Sequence, residues 1–407
     1  MAIRRILSAI AMDSFHEDES ASASNLHFDS FQLDILRWTP VLPALLSVAG
    51  SLLIIQRIVR SKELLSKTYE RLMLGLSLVD TLNSIRLVIF PLVYRPYTAP
   101  STACTIEGFV VTLGFAGPVY NAVLTFYYVL IIIYNVPNQR IITHYEPWLH
   151  VTAVGYGLVG AFLGLSLGVF NPNSSGLSCW AAEWPTGCLD SENGVECERG
   201  ESMAAFSYAV GLLPLFGVLF ALISGNTVIY CTVRRIVAKT ETYTSPAVGF
   251  ARATVDSGAI HSSVDELELA SQSSTTTSIE TPSGATASAN NNTRCIETPS
   301  DATASANNNT RSPPTVTKTT AVAVQSISYV LAYLICFIWP FVIVVVEVAA
   351  PSTPRRYLFV LHMLEMIFYP IQGLFNALVY VRPMVTRLRR QDPGRPRWQC
   401  VLSVLFD

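Results

Sequence analysis

The chain has 407 residues, of which 51% are hydrophobic and only 14% are charged. A soluble domain carries about 25% charged residues, so this composition excludes an ordinary soluble globular protein. The formal net charge of -2 creates no overall field that would attract nucleic acid, and nucleic acid is not expected as a partner.

Seven long apolar stretches contain most of the hydrophobic residues, and the charges lie between them. A helix that crosses a bilayer needs roughly 20 apolar residues. The predicted crossings are residues 39–59, 69–94, 104–136, 149–170, 203–233, 319–348 and 357–381. The sequence therefore predicts an all-α fold, an integral membrane bundle of seven transmembrane helices in which the lipid bilayer is a partner.

The polar segments divide the chain into five parts. Residues 1–38 are expected to form a disordered extracellular tail, because most of them follow no apolar period. An apolar run near the start is shorter than the roughly 7–15 residues of a signal-peptide core, so the first crossing is expected to act as its own insertion signal. The other parts are crossings one to five (39–240), a third cytoplasmic loop (241–317), crossings six and seven (318–382) and a basic cytoplasmic tail (383–407).

The predicted third cytoplasmic loop is rich in Ser, Thr and Asn and contains a duplication. Residues 279–294 recur as residues 296–311, and only Gly284 and Asp301 differ. Such a segment cannot bury enough apolar surface to offset its conformational entropy, so disorder is expected. Two interpretations of this segment remain open: a flexible linker that arose by repeat slippage, and a cytoplasmic segment that is phosphorylated on its many Ser and Thr residues.

The orientation follows from the Lys and Arg residues of the short connections. The first connection, the end of the fifth crossing and the final tail are basic, whereas the loop between the fourth and fifth crossings is acidic. Cytoplasmic loops carry the excess of Lys and Arg, so the amino terminus is predicted outside and the carboxyl terminus in the cytosol. Arg234, Arg235, Lys239 and Arg382 are among these basic residues.

The cysteines follow the same topology. Four are predicted outside, where disulfides form, and they are Cys104, Cys179, Cys188 and Cys197. Three pairings are possible. We favour Cys104–Cys179 with Cys188–Cys197, and the other pairings remain open. Asn173 begins a glycosylation acceptor in the same loop. The remaining cysteines lack metal-ligand spacing, and Cys400 lies in an apolar tail segment that is either acylated or an unmodified membrane-surface segment.

Polar side chains recur at helical spacing in four crossings, where ionisable groups usually face a bundle interior or a water cavity. The four stripes are Ser77, Asp80 and Ser84; Asn121, Thr125 and Tyr128; Ser326, Tyr329, Tyr333 and Cys336; and His362, Glu365, Tyr369, Gln372, Asn376 and Tyr380. Aligned stripes in four helices predict a bundle with a polar axis.

Depth along the helices separates this axis into two predicted layers. The inner layer is a switch region whose candidates are Asp80, Pro340, Asn376 and Tyr380. The outer layer is a ligand cavity whose candidates are Arg86, Glu107, Asn121, Tyr333, Trp339, His362 and Glu365, with Glu107 expected nearer the surface. A static structural bond between Asp80 and Asn376 remains open, and so does an internal Arg86–Glu365 ion pair without a ligand role.

Several of these segments resemble the G-protein-coupled receptor superfamily, and within it slime-mould cyclic-AMP-receptor-like and related protist receptors. The resemblance rests on LSLVD at 76–80, CTIEGF at 104–109, SCW at 178–180, CFIWP at 336–340 and PIQGLFNALVY at 370–380. It implies a cell-surface receptor of the plasma membrane, not an enzyme, with an extracellular ligand and a heterotrimeric G protein as partners and with no cofactor. In such a receptor the residues expected to face the G protein are Arg234, Arg235, Lys239 and Arg382.

Two departures limit what the resemblance implies. The third crossing ends in Ile133, Tyr134 and Asn135 without the Asp-Arg-Tyr triplet of rhodopsin-like members, and Asn376 is followed by Ala377 where a proline is usual. The rhodopsin-like activation lock therefore does not transfer residue by residue, and cyclic AMP does not follow as the ligand.

Three other functions have different sequence requirements. A retinal protein needs a lysine in its last helix, and residues 357–381 contain none. A transporter, the principal alternative, favours paired repeats and interrupted helices, and the two halves of the chain are not similar. A membrane enzyme needs clustered ligands at membrane depth, for which His362 and Glu365 are the sole candidate pair.

Overall fold

The computed structural model describes residues 28–93, 100–173, 178–189, 195–244, 314–350 and 355–406, and within these the chain is mostly helical. It forms two compact units. The first comprises Met1–Val233 with Ala321–Asp407, and the second comprises Arg234–Thr320. The sequence duplication and most of the predicted amino-terminal tail lie outside the described residues.

Helices account for most of the described residues. In chain order they are α1 (Ser30–Trp38), α2 (Val41–Arg60), α3 (Lys62–Leu65), α4 (Thr68–Val93), α5 (Thr102–Gly114), α6 (Ala116–Ile132), α7 (Asn138–Arg140), α8 (Glu146–Ser166), α9 (Met203–Phe206), α10 (Leu213–Thr244), α11 (Pro314–Ala349), α12 (Phe359–Phe368), α13 (Gln372–Gln391) and α14 (Arg397–Phe406). Wider π-helical turns at Ile141–Tyr145 and Ser207–Leu212 precede α8 and α10, and a 3₁₀ turn at Arg355–Leu358 precedes α12.

Six helical spans of the described chain are long and apolar enough to cross a bilayer. They are Ser30–Arg60, Thr68–Leu92, Thr102–Ile132, Asn138–Ser166, Met203–Lys239 and Thr319–Val346. A seventh span results when α12 and α13, which meet at a bend of 44°, are counted together. The prediction of a multi-pass helical membrane fold is therefore confirmed, and the orientation of its termini stays a prediction.

One predicted boundary was wrong, because helical structure begins before the first predicted crossing. Residues 1–38 were assigned to a disordered tail, yet α1 begins at Ser30. Its first turn is stabilised by a capping box, in which Asp29 accepts from the Ser30 amide at 2.8 Å and Gln32 accepts from the Asp29 amide at 3.2 Å. The predicted basic tail, whose structure the sequence analysis left open, contains the end of α13, which continues to Gln391, and helix α14, in which Cys400 is buried.

Prolines explain two breaks within the spans. Pro118 cannot donate to the carbonyl of Gly114, and the helix of the third span is interrupted at Phe115, between α5 and α6. Pro370 lies in the bend between α12 and α13 for the same reason. Pro340, in contrast, lies inside the continuous helix α11, since neighbouring helices can satisfy the carbonyl that a proline leaves free.

A short hairpin lies against the start of the third span. Strands β1 (Phe170–Pro172) and β2 (Cys179–Ala181) pair antiparallel, and a disulfide joins Cys104 of α5 to Cys179 of β2. Trp180 Nε1 donates to Thr112 Oγ1 at 3.1 Å. The hairpin is thereby held against α5 by a covalent bond and a hydrogen bond.

The first and seventh spans approach each other through glycines. A Cβ atom on Gly50 of α2 would lie 2.7 Å from the carbonyl oxygen of Gly373 in α13. Small residues permit such close backbone contact between membrane helices. The amide of Gly373 also donates to Ser47 Oγ at 3.0 Å, so this contact positions the seventh span and its polar stripe.

This contact predicts that alanine substitutions at two glycines differ in their effect on the free energy of unfolding. We expect Gly50→Ala to lower the free energy of unfolding by about 1–3 kcal/mol, because backbone atoms must move to admit the methyl group. Gly155→Ala is the matched control. It meets open space and should be neutral or slightly stabilising, because Ala favours helix. Thermal unfolding of the purified variants measures both effects, and equal stability of the two would contradict the close approach.

Candidate functional site

The four polar stripes are largely buried in the first unit. The stripes of the second, third and sixth spans are at most 7% exposed at every stripe position, and the seventh-span stripe is buried from Gln372 onward. The outer members of the last stripe, His362, Glu365 and Tyr369, are half-buried. The buried side chains form three hydrogen-bonded layers, because the predicted inner layer divides in two. Asp80 and Asn376 belong to a middle layer, and Tyr380 belongs to the inner layer proper.

The outer layer contains a buried ion pair between the second and third spans. Arg86 Nη1 lies 3.2 Å from Glu107 Oε1, and the two side chains are 8% and 2% exposed. Two expectations therefore need correction. Glu107 lies at the depth of Arg86 and not nearer the surface, and the ion-pair partner of Arg86 is Glu107 in place of Glu365. The short helix-to-helix distance allows this pairing, which sequence spacing within one helix cannot show.

Glu365 interacts within its own helix. Its carboxylate lies 3.1 Å from His362 Nδ1 one turn earlier. His362 also makes an edge-on ring contact with Phe28, at 5.4 Å between centroids. The side chains of His362 and Glu365 are 19% and 23% exposed, so both are more accessible than the buried candidates Arg86 and Glu107.

Asn83 links the outer layer to the seventh span. Its Nδ2 donates to Tyr369 Oη at 3.1 Å, and its Oδ1 accepts from Arg86 Nε at 3.3 Å. Glu107, Arg86, Asn83 and Tyr369 thus form one chain of polar contacts across three spans. The sequence analysis missed Asn83, although its position three residues after Asp80 is a helical neighbour of the stripe.

The remaining cavity candidates have different surroundings. Asn121 donates to the carbonyl of Gly117 in its own helix at 3.1 Å. Tyr333 stacks on Phe337 at 4.3 Å, and Trp339 stacks on Phe368 at 5.6 Å. Among the described residues, Tyr333 Oη and Trp339 Nε1 are buried atoms without a hydrogen-bond partner. Such groups are costly to bury unsatisfied, so they are available to a polar ligand or to another arrangement of the helices.

The middle layer joins the second and seventh spans. Asn376 Nδ2 donates to Asp80 Oδ2 at 2.8 Å, and the side chains are 1% and 7% exposed. Gln372 Nε2 and Ser77 Oγ are also buried and, within the described ranges, have no hydrogen-bond partner. The two residues that the sequence assigned to a switch therefore meet, in surroundings where several polar groups are unsatisfied.

The inner layer connects the second span to the sixth and seventh. Tyr380 Oη donates to Glu70 Oε2 at 2.7 Å. Tyr69 and Tyr329 share a hydrogen bond of 2.7 Å, and Gln325 Nε2 donates to Tyr69 Oη at 2.8 Å. These bonds hold the inner ends of three spans together.

Sequence reasoning named Tyr380 but missed its partner Glu70. The signal was present, because Glu70 precedes Ser77 by seven residues and continues the same helical face. Tyr69 makes its hydrogen bonds to the sixth span. Its ring also stacks on the ring of Tyr380, with 6.3 Å between the centroids. Nothing in the linear spacing indicates that contact.

A second ion pair lies between the second and fourth spans. Arg71 contacts Glu146 through two nitrogens, and Thr68 Oγ1 donates to Glu146 Oε2 at 2.7 Å. The end of the third span, which lacks the Asp-Arg-Tyr triplet, has Asn135 in a left-handed conformation at φ 46°. Charged residues of the second and fourth spans are thus paired near the end of the bundle where the triplet would lie.

The candidates for the G-protein face lie in both compact units. Arg382, in the first unit, is exposed and donates to Ser328 Oγ at 2.9 Å. Arg234, Arg235 and Lys239 are exposed residues of α10 in the second unit. That these four residues share one face towards a G protein stays a prediction.

The outer cysteines form the favoured pairs. One disulfide joins Cys104 to Cys179, and another joins Cys188 to Cys197. Asn173, the glycosylation candidate, donates through Nδ2 to Ser178 Oγ at 3.1 Å. The two residues that complete its acceptor motif lie outside the described ranges, and its modification stays a prediction.

Solved structures show which fold this arrangement represents. Squid rhodopsin superposes with a TM-score of 0.52 at 12% sequence identity, over 94% of this chain and 91% of that protein. The chain shares the fold of squid rhodopsin. Neither a protein-family model nor a curated protein matches the sequence. This fold agrees with a multi-pass helical membrane protein.

Proposed function

We propose that the chain is a G-protein-coupled cell-surface receptor that binds an extracellular ligand and activates a cytosolic heterotrimeric G protein. The observation that carries the proposal is the polar axis, in which the buried Asp80–Asn376 hydrogen bond lies between an outer layer and an inner layer. Buried polar groups at membrane depth are costly and usually functional. A plasma-membrane location and a kinship with cyclic-AMP-receptor-like receptors are finer parts of the same proposal.

The outer layer is the proposed ligand site. His362 and Glu365 are accessible enough to meet a polar ligand, whereas Arg86 and Glu107 already neutralise each other. A ligand that binds one member of the Arg86–Glu107 pair would break the ion pair and leave the other member free. Because Asn83 is hydrogen-bonded to both Arg86 and Tyr369, a movement of Arg86 would also alter the contact with Tyr369 in the seventh span. The ligand would act by binding one arrangement of the bundle more tightly and so shifting the population towards it.

The inner layer is the proposed point of release. The contacts of Tyr69 with Tyr329 and of Glu70 with Tyr380 hold the inner ends of the second, sixth and seventh spans together. A cytosolic cleft for a G protein requires these contacts to open, so the arrangement described here corresponds to the resting state. Movement of the sixth span near Pro340 would accompany the opening, with Arg382 beside the cleft.

This assignment predicts that Tyr69→Phe raises basal signalling. The substitution removes the hydroxyl that binds Tyr329 and Gln325 and keeps the aromatic ring. Two hydrogen bonds of about 1 kcal/mol each shift a two-state equilibrium about thirtyfold towards the open state. Ligand-free dissociation of tagged G-protein subunits in transfected cells measures the shift. Tyr230→Phe, at an exposed tyrosine of α10, is the matched control and should leave basal dissociation unchanged.

Ion flux distinguishes a receptor from a transporter of the same architecture. The chain in proteoliposomes should carry no ion current, and Asp80→Ala should alter G-protein dissociation alone. A flux that Asp80→Ala abolishes, without any coupling to a panel of G proteins, would establish the transporter function and overturn the receptor proposal.

A further inference from the structure

A groove lies between α2, α13 and α14, away from the polar axis. Its volume is about 660 Å³. Its wall is largely apolar and includes Leu53, Leu374, Leu378, Val381 and Val401. Leu378 is 56% exposed, so the groove opens on the lipid-facing side of the bundle.

Arginines line one end of this groove. Arg382, Arg389 and Arg397 all contribute to the wall. The guanidinium of Arg382 donates to Ser328, but in the described chain neither Arg389 nor Arg397 has an ion pair or a side-chain hydrogen bond. Two cations without acidic partners beside an apolar channel are complementary to an anionic headgroup that carries a hydrocarbon chain.

The dimensions of the groove match one leaflet of a bilayer. Leu374 and Arg389 are fifteen residues apart on α13, which corresponds to about 22 Å along the helix. A leaflet with its headgroups is about 20–22 Å thick. The groove is therefore long enough to hold one phospholipid, with an acyl chain along the apolar wall and the phosphate at the arginines.

Helix α14 supports this placement. It buries Cys400 and Val404 and exposes Trp398 and Leu402 on its other side. An amphipathic helix with an outward tryptophan is typical of the membrane–water interface. Arg397, the first residue of α14, is then at headgroup level. The buried Cys400 thiol is not accessible for acylation in this arrangement, so a bound lipid would supply the hydrocarbon that acylation would otherwise add.

We propose that the groove between α2, α13 and α14 binds one acidic phospholipid, with its phosphate on Arg389 and Arg397 and an acyl chain along Leu53 and Leu378. The predicted orientation places this end in the cytosolic leaflet, which carries the anionic lipids. The site does not depend on G-protein coupling. A bound lipid would fix α14 against α13 and stabilise the seventh span.

The test uses the purified full-length chain and native mass spectrometry. The probe is phosphatidylserine, and phosphatidylcholine with the same acyl chains is the comparison. We expect one retained phosphatidylserine molecule, and about thirtyfold weaker binding by Arg389→Gln/Arg397→Gln, because each basic residue near an anionic lipid contributes about fivefold. Arg387→Gln/Arg390→Gln is the matched control. It removes the same charge from residues outside the groove wall and should bind as the unsubstituted chain does.

A second pair of variants tests the apolar part independently of the arginines. Ala49→Trp fills the groove wall and should displace the lipid, whereas Leu52→Trp, at an exposed position outside the wall, should not. Equal losses in both arginine variants, or equal binding of phosphatidylcholine, would overturn the proposal. Displacement of the lipid by inorganic phosphate would also overturn it and would assign the groove to a free anion. A dimer mass without a lipid adduct would overturn it as well and would assign the groove to a second copy of the chain.

Discussion

Glu107→Leu is expected to lower the free energy of unfolding by about 3–5 kcal/mol. The substitution leaves the Arg86 guanidinium 8% exposed, with Asn83 Oδ1 as its remaining hydrogen-bond partner in the described chain. Removing one member of a buried ion pair costs this much because the other charge stays desolvated and unpaired. Thermal unfolding of the purified variant in detergent measures the loss.

Two controls separate this effect from a general loss of packing. Glu107→Leu/Arg86→Met removes both charges and should recover most of the lost stability, since an apolar pair of similar volume is often as stable as a buried ion pair. Glu63→Leu breaks an exposed pair with Lys67 and should cost at most about 1 kcal/mol. If the double variant is no more stable than Glu107→Leu, the two charges do not form the interaction described here.

The Cys104–Cys179 disulfide is expected to stabilise the fold more than the Cys188–Cys197 disulfide does. The first closes a loop of 75 residues and the second a loop of 9. In the chain-entropy description, closing the longer loop contributes about 4.5 kcal/mol and closing the shorter one about 2.6 kcal/mol. Thermal unfolding of Cys104→Ser/Cys179→Ser and of Cys188→Ser/Cys197→Ser measures the two contributions.

The two disulfides also differ in what they position. Cys179 belongs to β2, whose neighbour Trp180 binds Thr112 of α5. Loss of this disulfide should therefore loosen the hairpin, whereas loss of the other should act within its own loop. Hydrogen exchange at the amides of Phe170 and Asn171 in β1 distinguishes the cases. An equal loss of protection in both double variants would contradict the role assigned to Cys104.

Much of the fold was predictable because membrane insertion depends on local composition. The apolar stretches, their order and the polar stripes follow from residue type and helical spacing. The sequence also brought Asp80 and Asn376 into one predicted layer, and the structure has them 2.8 Å apart. Boundaries were less predictable: α1 begins at Ser30 because of a capping box at Asp29 and Gln32, which lies in a polar segment without apolar period.

Partner choice across the bundle was not predictable. The sequence analysis considered Glu365 as the ion-pair partner of Arg86 and placed Glu107 nearer the surface, whereas the structure pairs Arg86 with Glu107. Which carboxylate lies nearer depends on the rotation and tilt of three helices, and these follow from contacts such as the glycine approach at Gly50 and Gly373.

The sequence by itself determined that the chain is a helical membrane protein with a polar interior, because water and lipid impose those requirements on each segment separately. Only the tertiary structure decided which polar groups meet, that Tyr69, Tyr329 and Glu70 form the inner layer, and that α14 completes a groove lined by arginines. The physical reason is that a side chain's period assigns it to a face of its helix, whereas its partner is set by how whole helices pack.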